Sequence, residues 1–188
     1  MLRTILGVPA LTLAIAPAGA ASSEGRLTFL GHALVETTNT LGPRGGVIEF
    51  KLAQETRENW TRLVSYRALP DSRQSAYEMA LVHAREMHAR FPSERHPGSV
   101  IKTYKGRGEG SGEALAEFAI VMPDATVDYS VFRYAAGPGG NGLVSLRYSR
   151  RLRGSEIDAM GTEAARWAEA VAQFDMNLVR AAVAQSRD

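Results

Sequence analysis

The chain has 188 residues, 22 Lys and Arg against 20 Asp and Glu, 45% hydrophobic residues and no cysteine. That length suits one domain with a proper core, and the ordinary apolar fraction excludes disordered and low-complexity classes. The near-balanced charge argues against a dedicated nucleic-acid binder, and the missing cysteine removes disulfides, thiolate metal sites and cysteine nucleophiles together.

Residues 1–20 carry one charge, Arg3, ahead of an apolar run from Thr4 to Ala16, then Pro17 and the small triplet Ala18-Gly19-Ala20. This is the layout of a secretory signal peptide cut after Ala20. Gly7 and Pro9 interrupt the run, which falls short of the roughly 20 apolar residues a spanning helix needs. With no cysteine to carry a lipid, no lipoprotein anchor is expected, and no later stretch reads as a transmembrane segment. Of the basic residues 19 are Arg and three are Lys, which with abundant Ala points to a GC-rich genome. The expectation is an exported bacterial protein, periplasmic or secreted, with a flexible leader at 21–25 and a single domain over 26–188.

In chain order, Arg26 to Thr38 favours strand, and Leu41-Gly42-Pro43-Arg44-Gly45-Gly46 is dense turn chemistry. Val47 to Leu52 alternates and completes a hairpin. Trp60 to Leu69 reads as a strand with Trp60, Val64 and Tyr66 on one face, although Arg62 shares that face. Pro70-Asp71-Ser72 signals a helix start. Tyr77, Ala80, Ala84, Met87 and Phe91 then form one helical stripe, stopped by Pro92. Four strand-like runs follow, Ser99–Tyr104, Ala114–Met122, Val127–Ala135 and Leu143–Leu152, with short joins that favour antiparallel neighbours. Closure of the loop Gly137 to Gly142 is expected to set Phe132 opposite Leu146 and Tyr134 opposite Val144 on the core side, and Asp128 opposite Arg150. Finally, Ile157, Met160, Ala164, Trp167, Val171, Phe174, Leu178 and Ala181 keep alternating steps of three and four, a long amphipathic helix expected to lie on its own sheet. Ser155 and Asp158 resemble its capping box. The fold class is therefore α+β: an antiparallel β-sheet flanked by helices, with a long amphipathic C-terminal helix.

Little in the chain compels chemistry. His83 and His88 stand five apart, about 140° around a helix, so they are poorly placed to share a metal ion and read as surface histidines. The glycines from Lys105 to Gly112 would need a strand before and a helix after to form a dinucleotide fingerprint. A strand follows instead, so this stretch reads as a flexible connection. Ser111 lacks the glycines of a nucleophile elbow. The scattered carboxylates show no acid–base pairing. No catalytic, metal or cofactor-binding residue is assigned, and no cofactor is expected. The one basic cluster is Arg147, Arg150, Arg151 and Arg153. Arg147 and Arg151 share a strand face while Arg150 takes the other. Arg147, Arg151 and Arg153 are thus the candidate patch for an anion or an acidic partner, set against a solvated edge paired locally with Asp128, Glu156 and Asp158.

The order of hairpin, strand, helix, antiparallel run and long final helix resembles the PsbP-like α/β/α sandwich. So do Val47-Ile48-Glu49-Phe50 and Glu58-Asn59-Trp60-Thr61-Arg62-Leu63-Val64, which look like a stretch found in secreted bacterial proteins of that kind. The fold is that of photosystem II extrinsic subunits, a small Ran-binding protein and several bacterial envelope proteins, and the resemblance implies binding or support of assemblies. No functional motif of the fold is matched, so no residue role transfers.

The expected function is a non-catalytic binding or assembly-support role in the cell envelope, toward an envelope protein or an anionic envelope component and not nucleic acid. The alternatives are a periplasmic hydrolase, or a carrier holding a small apolar ligand between the sheet and the Trp167 helix. Convergent histidines or carboxylates in a pocket would favour the enzyme, a deep dry cavity the carrier, and an exposed Arg-rich or apolar patch the binder. Mass spectrometry of the exported protein is expected to find an N-terminus at Ala21 or Ser22; a retained Met1 overturns the signal-peptide reading.

Overall fold

The alternating runs pair into a single antiparallel sheet. The computed structural model describes residues 22–23, 25–105 and 112–185. The signal peptide expected at 1–20 lies outside these residues, as do 106–111 of the glycine-rich connection. Nine strands form the sheet: β1 (Ser22–Ser23), β2 (Arg26–Phe29), β3 (His32–Asn39), β4 (Gly46–Lys51), β5 (Arg62–Leu69), β6 (Val100–Lys105), β7 (Ala114–Val121), β8 (Val127–Ala136) and β9 (Leu143–Leu152). Their spatial order is β1-β2-β3-β4-β5-β9-β8-β7-β6. Two meanders, β1 to β5 and β6 to β9, thus meet where β5 pairs with β9. Three helices complete the α+β fold: α1 (Ala76–Arg90), α2 (Ser155–Gln173) and α3 (Met176–Gln185).

Strand parity decides what each face of the sheet carries. Even positions of β9 and β5 and odd positions of β8 face α2 and α3. There Val64, Tyr66, Val131, Val144, Leu146 and Tyr148 build the main core with Trp167, Val171 and Phe174. Aromatic contacts fill it, Phe29 against Tyr148 at 5.1 Å and Tyr129 against Trp167 at 5.1 Å. On the opposite face α1 lays its alanines, Ala76, Ala80 and Ala84, on the β7 column Ala114, Ala116, Phe118 and Ile120. Small residues on both sides bring this helix close to the strands. It packs against β6, β7 and β8. The other half of this face, over β4, β5 and β9, has no helix on it.

Several local expectations are corrected. The first strand is two strands, because Leu30 and Gly31 both adopt positive φ (50° and 78°) and close a two-residue hairpin. Ser22 and Ser23, within the expected leader, pair with Leu27 and Arg26 as the first strand. Trp60 precedes β5 instead of joining its core face; it lies under the guanidinium of Arg151 at 4.4 Å. Helix α1 starts four residues after Ser72. Ser75 is its N-cap, in a capping box with Glu78, and this satisfies orphan N–H groups that Pro70-Asp71-Ser72 would have left open.

The β8–β9 hairpin closes symmetrically about its loop, which sets β9 one residue away from the expected pairings. Gly137 to Gly142 form an even, six-residue loop, so Ala136 pairs with Leu143, Phe132 with Arg147, Tyr134 with Ser145 and Asp128 with Arg151. Phe132 and Tyr134 consequently face α1 and not the main core. Gly142 (φ 62°) permits this turn, since a Cβ there would stand 2.5 Å from the carbonyl oxygens of Leu69 and Pro70. The C-terminal helix breaks at Phe174, and Asp175 accepts from the Asn177 N–H at 2.9 Å to start α3. The break resets the helical phase: Met176, Val179 and Val183 are buried and Ala181 is exposed. No capping box forms at Ser155, because Gly154 (φ 52°) is the N-cap and makes no side-chain bond.

Two arginines tie the second helical layer to the sheet. Arg133 is anchored by Glu113 at 2.7 Å and donates to the carbonyls of Val171 and Phe174 at the C-terminal end of α2, where a cation complements the helix dipole. Arg180 of α3 donates to the Ala136 carbonyl. Trp167 is 5% exposed between Tyr129, Tyr148 and the Arg150 guanidinium. Trp167→Ala is expected to cost about 3–5 kcal/mol, as truncation of a packed aromatic does, read as a lowered urea midpoint with secondary structure retained.

Candidate functional site

The face left open beside α1 forms a trough whose floor is set by strand register. One row across the sheet runs Glu49, Ser65, Arg147, Phe132, Ala116; the next runs Lys51, Leu63, Ser149, Ser130, Phe118. The floor is thus charged over β4 and β9, carries small hydroxyls between, and turns aromatic and aliphatic toward β7. Helix α1 makes one wall with Met79, His83, Met87, Arg90 and Phe91, while Arg44, Asp71 and Arg73 at one end and Arg57 and Trp60 at the other make the rest. Two adjoining hollows, about 870 and 640 Å³, share Glu49, Phe132 and Arg147.

Arg147 is the central group. Its Nε donates to Ser149 Oγ at 2.6 Å and its Nη2 to Ser130 Oγ at 3.4 Å. The two hydroxyls bond each other at 2.7 Å, and the Phe132 ring lies 5.3 Å from the guanidinium carbon. No carboxylate among the described residues reaches ion-pair distance of it. Glu49 pairs with the buried Lys51 at 3.3 Å, and Asp128 takes both arms of Arg151 at 2.9 and 3.2 Å. Burial presses the Arg147 pKa below the ordinary arginine value, against the pull of Glu49 and Asp128. The result is a half-buried cation held by neutral partners, with donors to spare.

Of the three candidate patch residues, the structure brings Arg147 and Arg151 onto one face of the trough, 151 already bound to Asp128. Arg153 is exposed beyond the end of β9 and lines neither hollow. Arg150 takes the opposite face, as strand parity requires, and pairs with Glu156 at 2.7 Å. Lys51, Arg67, Ser130 and Ser149 carry no site signal of their own in the sequence, and Phe132, expected on the core side, faces the trough. Their odd–even alternation in β4, β5, β8 and β9 was the available signal, but only the register shows that they converge.

His83 is not a surface histidine. It sits edge-on to Phe118 and Phe132, and its Nδ1 bonds the hydroxyl of the buried Tyr134. Burial, with Arg147 and Arg67 adding to it, lowers its pKa to about 4. His88 is exposed, and His96 bonds the Val121 carbonyl at 2.8 Å. Among the described residues, no three His, Asp or Glu side chains gather to hold a metal ion, and no helix is long and apolar enough to cross a membrane. At the Trp167 layer the helix is closed on the sheet. A separate hollow of about 530 Å³ lies beside it, between Tyr104 and Leu115 of the sheet and Gly161, Ala164 and Ala168 of α2.

Comparison with protein-family models, curated proteins and solved structures yields no match to this chain.

Because His83 stays neutral in the folded chain down to about pH 4 while a free histidine protonates near 6.5, the unfolded state binds more protons between these values. Its contribution to stability is complete above pH 6.5 and is lost as the pH falls toward 4. Urea midpoints measured across that window are expected to fall, and the fall to be shallower in His83→Gln.

Proposed function

We propose that this is an exported, non-catalytic binding protein of the cell envelope that holds an anionic ligand or partner in the trough. The observation that carries this reading is the concentration of charge there. The trough is lined by Arg44, Lys51, Arg57, Arg67, Arg73, Arg90, Arg147 and Arg151 against Glu49, Asp71 and Asp128. Eight cations therefore face three carboxylates, which leaves 14 basic and 17 acidic residues for the whole remaining chain. A positive concavity in an otherwise negative molecule draws anions to one place. Export rests on the signal-peptide layout of residues 1–20. The PsbP-like reading of the fold is supported by the antiparallel sheet with helices on both faces, and it agrees with a binding role.

A hydrolase is the second reading, favoured by one feature: His83, neutral and oriented by Tyr134, borders the same hollow as Ser130. A neutral imidazole can accept a proton, although a pKa lowered to about 4 makes this one a weak base. Among the described residues, however, the serines of the floor bond Arg147 and each other, not His83.

The test titrates the mature protein with inorganic phosphate and with hexaglutamate at low salt. NMR shifts are expected at Arg147, Ser149 and Phe132, and the Arg67→Gln/Arg147→Gln double variant is expected to bind about tenfold or more weakly, the usual loss on removing charge-assisted bonds. Affinity unchanged in the double variant overturns the trough reading. Turnover of carboxylic or phosphoric esters that disappears in His83→Gln transfers the assignment to the hydrolase.

A further inference from the structure

We infer that the α1 end of the trough is a site for an amphiphilic anion, a small molecule with one carboxylate or phosphate head for Arg147 and an apolar body for the wall beyond Phe132. The inference rests on the trough being a binding site and goes further, in naming what kind of ligand it takes. The 640 Å³ hollow has two chemically distinct sides. On one stand the cations of β4 and β9. On the other, Phe118 and Ile120 form a buried floor and Met87 of α1 overhangs it. The change from cation to hydrocarbon happens within one strand spacing, because Arg147 and Phe132 are cross-strand partners. A molecule lying across the strands from β9 toward β7 therefore meets a guanidinium first and an apolar surface next.

Three features fit the head. The serine bonds and the Phe132 ring fix the plane of the Arg147 guanidinium, which leaves Nη1 without an acceptor among the described residues. The two nearest acids are kept from neutralising it, Glu49 by Lys51 and Asp128 by Arg151. A planar fork of this kind suits a carboxylate or phosphate better than a halide. Two features fit the body. Met87 has the flexible, polarizable side chain that adapts to varied apolar shapes. His83, uncharged at neutral pH, closes the wall with its ring edge to Phe118 and Phe132 and adds no competing positive charge. The volume lies in the range of small-molecule sites.

The experiment is calorimetry of the mature protein with octanoate, decanoate, dodecanoate, dodecyl phosphate, acetate and dodecyltrimethylammonium. The expected result is one site per chain that prefers the anionic amphiphiles, with affinity rising roughly fourfold per methylene and acetate and the cationic amphiphile binding at least about tenfold more weakly. Arg147→Gln is expected to lower affinity for both anionic heads by about tenfold or more, and Arg153→Gln to leave it unchanged. Met87→Gln, half-buried on the outer wall, is expected to flatten the dependence on chain length, so the inference remains testable if Arg147→Gln does not fold. Whichever of dodecanoate and dodecyl phosphate binds more tightly identifies the head group. Anions that bind through Arg147 without any dependence on chain length overturn the amphiphile and leave the trough reading standing. Equal binding of the cationic amphiphile, or indifference to both Arg147→Gln and Met87→Gln, overturns the amphiphile as well. Binding of no anion at all overturns both readings.

Discussion

The register of β9 between β5 and β8 is the constraint on which the rest of the molecule depends. Both neighbours are antiparallel, so each β9 residue is paired on two sides and its parity fixes the face it occupies. Leu146 and Tyr148 enter the apolar core, while Ser145, Arg147 and Ser149 form the trough floor. A slip of one position would drive Arg147 among Val64, Tyr66 and Val131 and set Tyr148 in the trough, with a desolvation cost no local gain could offset. The register is therefore specified strongly. The buried hydroxyls are consistent with it, since Ser130 and Ser149 satisfy each other and together accept from Arg147.

Helix coverage follows from what the two faces carry. The α2–α3 layer spans the centre of the sheet, where aliphatic and aromatic columns from β2 to β8 need cover; Arg133 of β8 donates to its carbonyls, and Arg180 of α3 donates back to the Ala136 carbonyl of β8. Helix α1 crosses from the end of β5 to the start of β6 and packs only on β6, β7 and β8 near the far edge. The uncovered half of its face has to be compatible with water, and it is so through paired charges, Lys51 with Glu49 and Arg151 with Asp128. Arg147 departs from that pattern. Its guanidinium is held by hydroxyls and an aromatic ring, with no counter-charge at ion-pair distance among the described residues, and the hollow beside it lies on the boundary between helix-covered and open sheet.

Much of this architecture was legible in the residues. Alternation in Ala114–Val121, Val127–Ala136 and Leu143–Leu152 marked three strands to within a residue of their ends, and the stripe from Ile157 to Phe174 marked the helix that covers the core. Strand parity placed Arg147 and Arg151 together and Arg150 apart. Errors arose where a short-range signal had competitors. Leu30 in the left-handed region has no turn-forming side chain, so the first hairpin read as one strand. The serine cap at 75 lay among several equally good starts. The helical period continued across Phe174 although the chain does not. His83 looked solvent-facing because nothing local announces that Phe118, Phe132 and Tyr134, all distant in sequence, surround it.

The sequence by itself determined the class of the fold and which segments become strands, because hydrophobic period and turn chemistry act over a few residues. It also determined that cysteine chemistry plays no part. Only the tertiary structure decided the register between strands, the reach of α1 and the convergence of β4, β5, β8 and β9 on one trough, because these depend on loop parity and on pairings between residues tens of positions apart. The character of Arg147 belongs to that second group. Its charge is written in the chain, but its half-buried setting, its neutral partners and the absence of a counter-charge among the described residues exist only once the two meanders have met.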